Sequence, residues 1–482
     1  MVGPKYHTPP AVAQAPPVTY KESPTQFQDT DGWKVAQPQD AMLHGKWWEI
    51  YNDPELNALE DKLNIDNQNI KQFFENFMEA RTLIAQARSQ LYPTLSTAPS
   101  YSRSRTSSNL GTSATANPGH ESSVGSLGLE ASWEPDLWGK VRNTIREEQY
   151  NAQLSAADLE NEKLTEQATL ATTFFEIRGQ DALQKVLDDT VAADKKALEL
   201  TQSLYDTGID DKISVVEAEN TLQNAQATAI NLGVARAQFE HAIAVLVGEN
   251  ASGFSIPVKP VTSTPPPIPI GLPSQLLERR PDIAASERNM ASANAQIGIA
   301  DAAYYPDLTL SAGGGFESST FKHLFDWPSR FWSIGPSVSE TIFDAGLRRA
   351  TVNQFIATYN ADVASYRQTV LTAFQQVEDG LAEVRILSQQ IIQQQAAAQS
   401  AQRFVDLETA RYQTGVDPYI DVVTAQNTLL TDQQALATLH VQQMTASVSL
   451  IEALGGGWDR TQLPTPAQLT KKIGKDEITI QK

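Results

Sequence analysis

Two very long stretches of the chain contain no proline. None occurs in the 121 residues between Pro135 and Pro257, or in the 81 residues between Pro336 and Pro418. A proline inside a helix removes a hydrogen bond and clashes with the preceding turn, and both stretches are rich in Ala, Gln, Leu and Glu. The sequence therefore predicts long α-helices. A helix over most of the second stretch would measure about 100 Å, at about 1.5 Å per residue.

Apolar residues in the second stretch recur mostly at alternating steps of three and four, over several heptads. Helices that pack side by side along their lengths show this pattern, as in coiled coils, rods and helical tunnels. The pattern is carried by Val352, Ile356, Tyr359, Val363, Tyr366, Val370, Ala373, Val377, Leu381 and Val384.

The chain contains two copies of one unit. Residues 204–226 match residues 411–433 at an offset of 207, and Gly208 is equivalent to Gly415. This period is far longer than that of solenoid repeats, so the sequence predicts two tandem structural units.

Each unit also contains segments in which apolar and small or polar residues alternate. Such alternation indicates strands, and the Gly- and Ser-rich stretches between them indicate hairpin loops. Four strands cannot close a barrel; two copies of the chain would supply eight strands and three copies twelve. If the apolar face meets lipid, the predicted water-facing residues are Gly128, Glu130, Ser132, Ser311 and Gly313, and the predicted lipid-facing residues are Leu127, Leu129, Leu308 and Leu310.

The composition excludes several classes of protein. Lys and Arg number 37 against 57 Asp and Glu, and this net charge of −20 argues against nucleic-acid binding. The chain has no cysteine, which excludes disulfides, zinc–thiolate sites and iron–sulfur clusters. The chain contains no run of 18 apolar residues, so the sequence predicts no transmembrane helix. No export signal follows Met1, so the protein is either cytosolic or begins after a removed segment.

The repeat plan, the twin turns and residues 271–306 resemble the TolC-like outer-membrane channels (outer membrane factors) of tripartite efflux pumps. The N-terminal VGPKYHTPP, then KWWEIYNDPELNALE and SWEPDLWGKVR, are similar to markers of the lipoprotein branch that serves RND pumps. The resemblance runs from Val2 to about Trp458. That branch normally starts with a lipidated Cys, so we expect a native lipid anchor at a Cys that Met1 replaces here.

The resemblance implies an α+β membrane protein. Three chains would form a trimeric outer-membrane β-barrel, with four strands per chain, continuous with a long α-helical periplasmic barrel and surrounded by a mixed equatorial belt. The implied function is a passive exit duct for small toxic compounds in a Gram-negative bacterium, gated at its periplasmic helical tips. The implied partners are two further copies of the chain, a periplasmic adaptor protein, an inner-membrane RND pump and outer-membrane lipid, with no nucleic acid and no cofactor.

The predicted organisation follows the repeats. We place the N-terminal segment of the belt at 1–50, the first repeat at 51–256, a Pro-rich linker at 257–280, the second repeat at 281–457 and a tail at 458–482. The predicted hairpins span about 94–135 and 307–343, and the long helices about 139–205, 212–247, 346–412 and 419–454.

The two turns between long helices are the candidate gate. Gly208 and Gly415 would end one helix and let the chain reverse, which requires a residue that tolerates positive φ. By resemblance, Arg411 and Tyr412 match positions that tie the closed mouth, and Ile420 matches an apolar constriction. A carboxylate of close relatives falls at Thr424 here. The carboxylates that could replace it are Asp417, Asp421, Asp210, Asp211 and Glu217. The alternative is that Arg411, Tyr412, Asp417 and Asp421 are ordinary polar residues at the tip of a helical hairpin.

Four tryptophans flank the strand segments: Trp133, Trp138, Trp327 and Trp332. They are either a membrane-interface girdle or ordinary packing where strands meet helices.

Two other functions are alternatives to the duct. A coiled-coil scaffold without a pore would gain nothing from strands with one apolar face. An enzyme lacks support, because the six histidines are scattered and no phosphate-binding or nucleophile motif occurs. The sequence predicts neither a catalytic site nor a metal site.

Overall fold

The computed structural model describes residues 1–11, 19–22, 45–109, 119–260, 264–268 and 276–471. The rest of the predicted N-terminal segment, parts of the predicted linker 257–280 and the end of the predicted tail lie outside the described residues.

The two repeats have the same order of elements. The first consists of α1 (Pro54–Asp66), α2 (Gln68–Ser89), β1 (Thr94–Thr97), β2 (Ser100–Arg105), β3 (Glu121–Trp133), α3 (Lys140–Asp206) and α4 (Lys212–Leu246). The second consists of α5 (Leu276–Arg279), α6 (Pro281–Ala302), β4 (Asp307–Ser318), β5 (Arg330–Ser339), α7 (Leu347–Gln413) and α8 (Tyr419–Ala453), followed by α9 (Pro466–Leu469).

The long helices of the two repeats are equal in length. Helices α3 and α7 each contain 67 residues, and α4 and α8 each contain 35. Both α3 and α7 begin after a glycine with φ of 90°, Gly139 and Gly346. No helix in the described part of the chain is both long and apolar enough to cross a membrane.

The strands form one antiparallel sheet. Its order is β1-β3-β4-β5, and β2 also pairs with β3. The sequence predicted one strand where β1 and β2 lie, but the structure divides it around Pro99, which has no N–H to donate to a ladder. Strand β5 ends at Ser339, short of the predicted residue 343, and Glu340 follows it.

The predicted heptad pattern of α7 is buried over only part of its length. From Tyr366 to Val384 its apolar residues are at most 5% exposed, within a core that also includes residues of α3, α6 and α8. Nearer the sheet, Ile356 in the same pattern is 41% exposed. Tyr359 and Val363 pack partly against the core, so one chain buries the first heptads of this helix only in part.

Candidate functional site

The two turns that end α3 and α7 have the same geometry. Gly208 has a φ of 78° and Gly415 a φ of 74°, in the left-handed region that favours glycine. The amide of Ile209 donates to Leu204 O at 2.9 Å, and the equivalent amide of Val416 donates to Arg411 O at 3.0 Å. These bonds satisfy the last carbonyls of both helices, so each hairpin reverses direction tightly.

Tyr412 joins the two hairpins of the chain at their tips. Its side chain is 5% exposed, and its hydroxyl donates to Oδ2 of Asp210 in the first turn. Its ring packs on Tyr419 at the start of α8, with 5.3 Å between ring centroids. Tyr412 therefore connects the two hairpins within one chain, and its acceptor is one of the predicted carboxylates.

The Tyr412–Asp210 contact perturbs both ionisable groups. Burial, and then the neighbouring carboxylate, raise the pKa of Tyr412 to about 12. Burial alone would raise the pKa of Asp210, but hydrogen bonds from Tyr412 and from the turn outweigh it and hold that pKa below its usual range. Tyr412 is therefore the donor and Asp210 an ionised acceptor at neutral pH.

Arg411 makes its contact inside its own turn. Its Nη2 donates to Oδ1 of Asp417 at 2.9 Å, and its Nε donates to Oδ2 of the same carboxylate. The ion pair holds the pKa of Asp417 below its usual range. The resemblance implies that Arg411 helps to tie the closed mouth, and within one chain these contacts lie inside its own hairpin.

Three carboxylates gather beside Arg411. Oxygens of Glu408, Asp417 and Asp421 all lie within 4.8 Å of one another. Burial and the charge of Asp417 raise the pKa of Glu408. Sequence reasoning missed Glu408, although it precedes Arg411 by three residues and so shares its helix face.

The other predicted gate residues have separate roles. Asp211 caps α4, accepting from the amides of Ile213 and Ser214 at 2.9 and 3.1 Å. Glu217 is half-buried, Ile420 is 49% exposed, and the Thr424 hydroxyl donates to the backbone of its own helix. Their arrangement leaves Ile420 free to contact a partner.

Beneath the tip, two buried polar groups were not predicted. Asp194 of α3 and Tyr419 of α8 are each 2% exposed. Asp194 Oδ2 and the Tyr419 hydroxyl have no hydrogen-bond partner among the described residues. Burial raises the pKa of Asp194 to about 6. A lone Asp on a helix gives no sequence signal of burial, because its exposure depends on which helix packs over it.

The four tryptophans divide into two pairs. Trp133 Nε1 donates to Leu91 O at 3.1 Å, and Trp138 Nε1 donates to Pro306 O at 2.8 Å, where strands meet helices. Trp327 and Trp332 are 71% and 79% exposed. The first pair is thus hydrogen-bonded where strands meet helices, whereas the second pair is exposed, with the Arg330 guanidinium over the Trp327 ring.

The sheet has one apolar face and one small or polar face. The register aligns Leu129, Gly314 and Trp332 across three strands, and the adjacent positions Glu130, Gly313 and Ser333 on the other face. Leu310 is likewise opposite Pro336, and Leu308 opposite Val338. Phe331 departs from this alternation, because it lies in register with Gly315 and its ring approaches Gly128.

Solved structures share this arrangement of sheet and long helices. The outer-membrane channel OprN matches with a TM-score of 0.84 at 26% identity, covering 95% of this chain and 99% of OprN. The outer membrane protein VceC from Vibrio cholerae matches with a TM-score of 0.78 at 28% identity, covering 86% of this chain and 99% of VceC. The fold is that of an outer-membrane channel.

The sequence comparisons specify the family. The toluene efflux pump outer membrane protein TtgC of Pseudomonas putida is 30% identical over 459 residues, which cover 94% of this chain and 92% of TtgC. Residues 61–249 and 272–456 match the family described as Outer membrane efflux protein, and the chain belongs to that family. It lies in the outer membrane and forms the exit duct of an efflux system.

Proposed function

We propose that three copies of the chain assemble into one duct that is closed at rest by its helical tips. The observation that carries this proposal is the Tyr412–Asp210 hydrogen bond, which draws the two hairpin tips of a chain together. The strands of three copies would complete one barrel, and their long helices one periplasmic tunnel. The exposed apolar residues of α7 and of the sheet support burial against other copies and against lipid.

The chain acts as a passive conduit in this proposal and catalyses no reaction. A periplasmic adaptor and an inner-membrane RND pump supply energy and open the tips. The name of TtgC says that it serves a toluene efflux pump, and we propose small toxic compounds as the cargo here. Opening must break the contact between Tyr412 and Asp210.

Single-channel recording in planar bilayers tests the gate. Tyr412→Phe with Arg411→Ser removes the contact between hairpins and the ion pair within the second turn, so conductance should rise. Asp417→Asn with Asp421→Asn should leave the hydrogen bond between Tyr412 and Asp210 in place and weaken cation preference, because negative charge is lost from the mouth. Tyr92→Phe, an exposed tyrosine at the sheet end of α2, is the control and should change neither property. If conductance and selectivity are unchanged in both double variants, the tip residues form only a polar cap and not a gate.

A further inference from the structure

Tyr205 is the repeat equivalent of Tyr412, and its hydroxyl has no partner within the described part of the chain. The two tyrosines are related by the offset of 207, and both precede the same type of glycine turn. Tyr412 is 5% exposed and donates to Asp210, whereas Tyr205 is 40% exposed and its hydroxyl makes no hydrogen bond to the described residues. One copy of the tyrosine contact is therefore formed inside the chain and the other is not.

The repeat identifies the missing acceptor. Asp210 of the first turn is equivalent to Asp417 of the second at the same offset. Tyr412 reaches from the second hairpin to the first within one chain. In a ring of alternating first and second hairpins, the first hairpin has a second hairpin of the next chain on its other side. In such a ring, the equivalent contact would run from Tyr205 to Asp417 of the neighbouring copy.

The chemistry around Asp417 suits such a donor. Its carboxylate already accepts two bonds from Arg411, but a carboxylate has about four acceptor positions, so a hydroxyl can be added. Thr201 and Tyr419 contact Tyr412, and Leu204 packs against the same apolar cluster. At the offset of 207, the equivalents that would surround Tyr205 are Glu408 and Arg411 of the neighbouring copy and Lys212 of its own chain.

The charges at this contact are complementary. Glu408, Asp417 and Asp421 lie together with only the charge of Arg411 to offset them in the described part of the chain. Lys212 stands at the start of α4, where the equivalent position of α8 carries Tyr419. Placed against the next chain, the Lys212 ammonium meets this acidic cluster.

We propose that Tyr205 of each copy donates to Asp417 of the neighbouring copy, with Lys212 beside the carboxylates of Glu408 and Asp421. The closed mouth then contains two kinds of tyrosine hydrogen bond, which alternate around the ring. Tyr412 bonds to Asp210 within a chain, and Tyr205 bonds to Asp417 between chains. This inference rests on the proposed three-chain duct, and it assigns Tyr205 and Lys212, which the sequence did not single out, to the gate.

Chemical crosslinking tests the contact directly, because the chain contains no cysteine. Tyr205→Cys with Asp417→Cys should react with a short bis-maleimide to give products of two and three chains on a denaturing gel. The matched control is Tyr412→Cys with Asp210→Cys, whose equivalent positions lie in one chain. That control should consume both thiols and keep the mobility of a single 52.7 kDa chain.

The opposite pattern would overturn the inference. If the first pair stays at single-chain mobility while the control pair is consumed, Tyr205 does not face the neighbouring Asp417. The mass of the untreated protein in detergent is measured in parallel. A mass other than that of three chains would remove the proposed assembly, and the inference with it, whereas a three-chain mass without interchain crosslinks removes the inference alone.

A conductance measurement adds a functional readout. Tyr205→Phe should raise conductance, as we expect of Tyr412→Phe, while the control Tyr92→Phe should not. Tyr205→Phe combined with Asp417→Asn should raise it no further than the stronger single change, because both remove one interaction. Fully additive effects would mean that the two residues act apart.

Discussion

At the scale of single residues, the sequence predicts backbone geometry better than side-chain partners. Gly208 and Gly415 were predicted to have positive φ because each would end a long helix and let the chain reverse in a tight turn, and both have it. The acceptor of Tyr412 lies 202 positions away along the chain. No local sequence pattern specifies a contact between residues so far apart in the chain. The resemblance therefore implied a role for Tyr412 in the closed mouth but not its hydrogen-bond acceptor.

The first prediction concerns Gly415. Gly415→Ala should lower the free energy of unfolding by about 1–2 kcal/mol, because an L-residue is strained in the left-handed region. Nothing lies within 4 Å of a Cβ built there, so this cost comes from the backbone alone. Gly415→Asn is the control, because asparagine adopts the left-handed conformation more readily than alanine. That change should cost less stability than Gly415→Ala. Equal thermal shifts in the two variants would contradict the prediction.

The second prediction concerns Asp194. Its pKa is raised from 3.8 to about 6 in the folded protein, so its contribution to stability is complete below about pH 3.8 and is lost as pH rises through about 6. Asp194→Asn should therefore stabilise the protein at pH 7.5, by about 1–3 kcal/mol, and flatten the decline of melting temperature between pH 4.5 and 7.5. Asp189→Asn, at an exposed position of the same helix, should leave the wild-type decline unchanged. If the melting temperature of Asp194→Asn still declines over this pH range, another ionisable group causes the decline.

At the scale of elements, helices were easier to predict than strands. The four long helices begin and end within one residue of the positions that proline spacing and turn glycines indicate. The break between β1 and β2 was missed because the alternation of apolar and polar residues takes no account of Pro99, which has no N–H to donate to a neighbouring strand. The close approach of α3 to α8 was also invisible. It occurs at Gly179, where a Cβ would lie 2.3 Å from the side chain of Val441, and a glycine inside a helix does not reveal what packs over it.

The third prediction concerns the two faces of β5. Ser333 lies on the small or polar face and Ile334 on the apolar face, next to each other in the chain. In protein reconstituted into lipid vesicles, Ser333→Cys should react with a water-soluble thiol reagent and Ile334→Cys should be protected. The reason is that successive side chains of a strand point to opposite faces. The same protein denatured in detergent is the control, and both cysteines should react there. Equal reaction in vesicles would mean that β5 does not separate water from lipid.

At the scale of the whole molecule, exposed apolar residues of α4 support the proposed contact between copies of the chain. Ile230 is 79% exposed and Val234 is 57% exposed. The fourth prediction is that mass determination in detergent finds three chains of 52.7 kDa each. Substituting Ile230 and Val234 of α4 by Glu should lower that mass, because the added charges would lie in an interface between copies. Lys195→Glu, at an exposed position of α3, is the control and should keep the mass of three chains. A stable single chain in the unmodified protein would refute a shared barrel.

The equal lengths of the paired helices constrain how a gene for this chain can change. Losing one heptad from α3 would shorten that helix by about 10 Å. The first turn would then end closer to the sheet than the second turn, and Tyr412 would no longer reach Asp210. A viable deletion must therefore remove matching segments from α3, α4, α7 and α8 together. Insertions and deletions in descendants of this gene should accumulate in the loops and the tail, while α3 stays as long as α7 and α4 as long as α8.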